Sequence, residues 1–75
     1  MNAPDDLLLD VCGLEPPEPL ERVLDALGRL QPAQQLRVLI PRQPFPLYRI
    51  LDQNGYLHET VARDDGLFEI LIRAA

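Results

Sequence analysis

Three prolines within four residues, Pro16, Pro17 and Pro19, stand between two runs of opposite periodicity and leave the chain few ways to pass from one to the other. Proline fixes φ and lacks an N–H, so it is accepted in the first turn of a helix and disrupts a helix interior or a central strand. Before the prolines, Leu7, Leu9 and Val11 alternate with Leu8, Asp10 and Cys12, the period of two that a strand requires. After them, Leu20, Val23, Leu24, Leu27 and Leu30 follow helical spacing, with Glu18 and Glu21 at the positive end of the helix dipole. On the opposite face Glu18 can meet Arg22, and Asp25 can meet Arg29, one turn apart. A strand therefore stops at Gly13 and a helix begins among the prolines.

The remaining chain divides by the same signals. Residues 31–35 read as a connection, and Leu36 to Ile40 as a second strand. Residues 41–46, Pro-Arg-Gln-Pro-Phe-Pro, are too rich in proline for either element and form a loop leading into a short helix through Leu47, Ile50 and Leu51. Asn54-Gly55 ends that helix, since glycine accepts the left-handed conformation after the last turn. Tyr56 to Ala62 and Leu67 to Arg73 are two further strands, joined by the turn Asp64-Asp65-Gly66. The order is β-α-β-α-β-β, a single α/β domain over 1–75 with an ordered core at about 7–73.

Composition removes several classes of function. One cysteine, Cys12, permits no internal disulfide, and with one histidine, His58, it cannot build a zinc or iron-sulfur cage. No metal and no cofactor is expected. The first ten residues are acidic where a signal peptide is basic, and no apolar run is long enough to cross a membrane, so a cytoplasmic protein is expected. Seven arginines and no lysines against twelve acids give a net charge of −5, which disfavours autonomous binding to nucleic acid. No pair of carboxylates has acid-base spacing, and no Ser-His-Asp order or glycine-rich phosphate loop occurs. Ordinary enzyme catalysis is not expected.

The segment Gly13-Leu14-Glu15-Pro16-Pro17-Glu18-Pro19, taken with the strand before it and the helix after it, resembles the opening of the TusA/SirA-like sulfur-carrier proteins. Their signature is a strand, Gly-Leu, then Cys-Pro-x-Pro at the start of the first helix. Gly13, Leu14, Pro17 and Pro19 fall on that motif, and Pro16 stands at the cysteine position. The chain is most similar to the relatives of unknown function in which Gly-Leu-x-Pro-Pro-x-Pro replaces the cysteine form. The resemblance covers residues from about Leu7 to Arg73. It implies a two-layer sandwich: a mixed four-stranded sheet, order 1-2-4-3 with the last strand antiparallel, and two helices on one face. On that fold the core would hold Leu7, Leu9, Val11, Val23, Leu24, Leu27, Leu36, Val38, Ile40, Ile50, Leu51, Leu57, Val61, Phe68, Ile70 and Ile72. The open face would carry Leu8, Cys12, Leu39, Tyr56, Leu67 and Leu71 among Asp10, Arg37, His58, Glu69 and Arg73. So much apolar surface points to a protein partner or a homodimer on that face.

The substitution at position 16 has a physical consequence. A helix start activates a cysteine or holds an anion through its free N–H groups and dipole, yet Pro16, Pro17 and Pro19 remove donors while Glu15 and Glu18 add negative charge. Cys12 is the candidate replacement nucleophile, near the C-terminal ends of the parallel strands, but no basic neighbour in sequence would lower its pKa. His58 would lie at the other end of the sheet, facing solvent. Glu15, Arg42, Gln43 and Arg63 would gather at the Cys12 end, where Arg42 and Arg63 could contact an anion or a partner. Two functions follow. The favoured one is a non-enzymatic binding or adapter module on the sulfur-carrier fold, which recognises a partner through the open sheet face or the proline-rich loops and is linked through the resemblance to sulfur or redox metabolism. The alternative is a divergent carrier that takes up persulfide on Cys12.

Overall fold

Parallel strands need a long crossover, and the chain uses a helix for each. The computed structural model describes residues 6–74, in the order β1 (Leu7–Asp10), α1 (Glu18–Leu27), β2 (Leu36–Ile40), α2 (Phe45–Gln53), β3 (Tyr56–Ala62) and β4 (Phe68–Ala74). The sheet order is β1-β2-β4-β3. β1 runs parallel to β2, with Leu7 beside Leu36, and β4 lies antiparallel to both β2 and β3. Both helices cover one face of this mixed sheet, as the right-handed crossover rule requires of two such connections. The two-layer sandwich and its strand order are as the sequence and its resemblance predict.

The core lies between that face and the helices. It comprises Val11, Val23, Leu27, Leu36, Val38, Ile40, Leu47, Leu51, Ile70 and Ile72. Val11 lies just past β1 but keeps the ladder going, its N–H donating to the Leu39 carbonyl at 3.0 Å. On α1, Leu20, Val23 and Leu27 make the stripe that meets the sheet, and Leu30 just past the helix packs against the same core. Leu24, expected in the core, is 40% exposed because it lies about 100° round the helix from Val23. α2 starts earlier than expected, at Phe45, with Pro46 accommodated in its first turn. That start puts Leu47 and Leu51 on the buried stripe and leaves Ile50 half-buried. Gly55, at φ 77°, makes the left-handed exit from α2 that the sequence predicts.

The faces of β3 are opposite to the expected ones. Its register places His58 beside Ile72 and Thr60 beside Ile70, and partners across an antiparallel ladder share a face, so His58 and Thr60 point towards α2. Leu57 and Val61, expected inside, are 47% and 43% exposed on the open face, whereas Tyr56 and His58, expected there, are on the helix side. The cause is α2, whose polar and aromatic flank overlies this strand. The Tyr48 hydroxyl and Thr60 Oγ1 are 2.6 Å apart, and Asp52 Oδ1 is 2.9 Å from His58 Nε2. His58, expected to face solvent, is thus packed beneath a helix with its side chain only 22% exposed.

The open face is organised around Glu69. Its carboxylate meets Arg37 at 2.7 Å and Arg63 at 3.5 Å, while Arg37 also reaches Asp6 at 3.3 Å and Arg63 reaches Asp65 at 3.0 Å. No helix among the described residues is long and apolar enough to cross a membrane.

Candidate functional site: the proline-walled groove

Because β1 and β2 are parallel, the loops that leave them emerge at the same end of the sheet. Each loop enters a helix through prolines, and the two sets face one another. Pro16, Pro17 and Pro19 stand on one side and Pro41, Pro44 and Pro46 on the other, enclosing a groove of about 610 Å³. Leu14, Leu20, Val23 and Leu47 contribute apolar side chains, Val11 and Ile40 come from the strand ends, and Glu15, Arg42 and Gln43 provide the polar groups. The volume is in the range of sites that accept a small molecule or a few side chains.

Local chemistry builds the first wall. The Leu14 N–H donates to the Val11 carbonyl at 3.3 Å, closing a turn over Val11-Cys12-Gly13-Leu14. Gly13 occupies the third place with φ 86°, a value that favours glycine in a turn of this kind. The turn brings Leu14 into the groove. The Pro16-Pro17 peptide is cis, and α1 follows without a side-chain cap. The Glu18 N–H is already taken by the Glu15 carbonyl at 2.9 Å, and Pro19 has none, so this helix start has few donors to offer an anion.

Cys12 is half-buried and is not among the groove residues. Burial pushes its thiol pKa up, and the neighbouring Asp10 carboxylate raises it further by hydrogen bonding and by charge. Asp65 acts in the same sense and only Arg63 opposes them. Asp10 is in turn held below the usual carboxylate range, first by the Cys12 backbone N–H donating to it at 2.9 Å. A thiol in this setting is mostly protonated at neutral pH and a poor nucleophile.

The residues singled out from the sequence thus separate into two groups. Leu14, Pro16, Pro17, Pro19, Glu15, Arg42 and Gln43 line one groove, with Gly13 as the turn that aims the chain into it. Cys12 and Arg63 lie outside it, and Arg63 is engaged by Asp65 and Glu69. His58 is level with Leu7, through Ile72 and Leu36, and so belongs to the opposite end of the sheet from Cys12. Sequence reasoning named the proline-rich loops as a recognition surface but did not set Pro41, Pro44 and Pro46 opposite Pro16, Pro17 and Pro19 as the second wall of one groove. The signal was present: two proline clusters, each following a strand of a parallel pair, must meet. Among the described residues no group of three or more His, Cys, Asp or Glu could hold a metal ion.

Comparison with known proteins agrees with this architecture. A crystal structure of a SirA-like protein from Desulfitobacterium hafniense is similar, with a TM-score of 0.77 and 28% sequence identity over 88% of this chain and 93% of that one. No curated protein matches the chain. The family described as uncharacterized conserved protein (DUF2249) matches residues 8–74, and with its strand, Gly-Leu turn and proline-led helix the chain belongs to that family.

Proposed function

We propose that this protein is a non-catalytic binding module on a sulfur-carrier-like fold, which recognises a partner protein at the proline-walled groove. The observation that carries this reading is the chemistry of the α1 entry. Where the sulfur-carrier signature has a cysteine at a donor-rich helix start, this chain has Pro16 in an apolar wall with its nearest amide already bonded. Such a site selects by shape and apolar contact, and with so few free N–H donors beside the carboxylates of Glu15 and Glu18 it receives a thiolate or a persulfide poorly. An apolar side chain projecting from the partner is the occupant its lining suits. The likeness to a SirA-like protein supports a search for that partner among sulfur-handling proteins.

The persulfide-carrier alternative would have to use Cys12, whose neighbourhood disfavours the thiolate. Incubation with a cysteine desulfurase and cysteine, followed by intact-mass measurement, separates the two readings. The mass is expected to stay unchanged. A gain of one sulfur atom that disappears in Cys12→Ser would overturn the binding-module reading in favour of the carrier.

A further inference from the structure

We propose that the free edge of β3 is a homodimer interface, in which β3 pairs antiparallel with β3 of a second copy, Thr60 opposite Thr60, joining two sheets into one. This goes beyond the groove and does not depend on it. The Arg63 N–H donates to the Leu67 carbonyl at 2.9 Å, which marks this as a hydrogen-bonded position of the β3-β4 ladder. Hydrogen-bonded and non-hydrogen-bonded positions alternate along an antiparallel pair. The peptide groups of Leu57, Glu59 and Val61 therefore point to β4, and those of Tyr56, His58, Thr60 and Ala62 point outward along a free edge.

That edge lacks the devices that normally discourage strand pairing. Tyr56–Ala62 is seven residues long and holds no proline, lysine or arginine, with Glu59 its single acid. β1, at the other edge, is four residues long, preceded by the exposed carboxylate of Asp6 and ended by that of Asp10. Leu57 and Val61 add exposed apolar surface beside the β3 edge. α2 lies on the helix-side face of β3, with Tyr48 against Thr60 and Asp52 against His58, while the outward N–H and C=O groups lie in the plane of the sheet at its edge.

The register follows from charge. A twofold axis perpendicular to the sheet on Leu57 or Val61 would overlap only three residues of each strand, which leaves centres on His58, Glu59 or Thr60. Centring on Glu59 sets that carboxylate against its own copy, and centring on His58 sets it opposite Leu57 with no cation beside it. Centring on Thr60 places Glu59 opposite Val61 of the second copy, with the second copy's Arg63 on the diagonal, within reach of a long side chain. Glu59 has no ion-pair partner among the described residues, so this register supplies one. It also joins about six backbone N–H and C=O pairs. The contact is small, and the dimer should exchange with monomer at low concentration.

Sedimentation velocity over a concentration series should show a monomer-dimer equilibrium that Ala62→Pro shifts to monomer. This substitution removes an outward N–H and spares the ladder to β4. A second measurement fixes the register and covers the case in which Ala62→Pro lowers the urea midpoint. Glu59→Cys and Val61→Cys, each in a Cys12→Ser background, should form a disulfide-linked dimer faster when mixed than either does alone. A wild type that stays monomeric throughout the series, a dimer that persists in a folded Ala62→Pro variant, or no preference for the mixed disulfide would each overturn the proposal.

Discussion

The Tyr48 ring lies flat on the His58 imidazole, with centroids 5.0 Å apart and planes inclined by 5°. This stack fixes which side of β3 faces the helices. The same tyrosine places its hydroxyl 2.6 Å from Thr60 Oγ1, so Tyr48 ties α2 to the edge strand at two residues, and within α2 its ring meets that of Phe45 edge to face at 5.8 Å. The first prediction tests it. Tyr48→Phe keeps the stack and removes the hydroxyl, and should cost about 0.5–1.5 kcal/mol in urea unfolding. In a double-mutant cycle with Thr60→Val the two losses should fall short of adding, because each single change breaks the same contact.

Core and near-core leucines should differ sharply despite their similar positions in the sequence pattern. Leu51, fully buried, should lose about 2–5 kcal/mol on replacement by alanine. Leu24→Ala on the exposed flank of α1 should lose about 1 kcal/mol or less. Equal urea midpoints for the two variants would contradict the placement of α1.

Cys12 should alkylate more slowly at pH 7 than cysteine in an unstructured peptide, since its raised pKa leaves less thiolate. Asp10→Asn removes the main neighbouring charge and the hydrogen bond that raise that pKa, so the variant should react faster than wild type. Iodoacetamide kinetics with peptide mass spectrometry measure both rates.

Pro16→Cys recreates the Cys-Pro-x-Pro order at the groove wall. The new residue regains an N–H at the start of α1, where the helix dipole favours a thiolate, although Glu15 and Glu18 oppose part of that effect. It should alkylate faster than Cys12 in the same molecule, and the loss of proline should reduce stability by up to ~1 kcal/mol. Competitive alkylation decides the order of reactivity, and faster reaction at Cys12 would contradict this account.

Acid should weaken the fold through two carboxylates. Asp10 and Asp65 are both held below their ordinary value of 3.8, chiefly by the backbone N–H groups of Cys12 and Leu67 respectively. In each case the unfolded chain binds the proton more readily. Their contribution is therefore complete above about pH 4 and is lost as pH falls through the lowered folded-state values. Urea midpoints measured between pH 5 and pH 2 should fall less steeply in an Asp10→Asn, Asp65→Asn variant than in wild type.

The α1 stripe, the β1 and β2 runs and the turn at Gly66 were legible because each pattern is read from neighbours a few residues away. The parity of β3 was not. Leu57 and Val61 look like the inner residues of Tyr-Leu-His-Glu-Thr-Val-Ala when hydropathy alone decides. What reverses them is the partnership of His58 and Thr60 with Asp52 and Tyr48, which only the docking of α2 creates. The groove was half legible for a related reason. Its first wall carries a recognisable motif, while its second is ordinary loop sequence until parallel strands bring the two proline clusters together.

Six pyrrolidine rings around one opening also determine how that opening must behave when something enters it. Proline has almost no rotamer freedom to lose and its backbone is already confined, so the walls are preorganised and little of any contact energy is spent on ordering them. Lips of flexible methionine or lysine could remould themselves around many visitors. This one keeps its contour, and therefore turns small differences in a visitor's outline into differences in residence time.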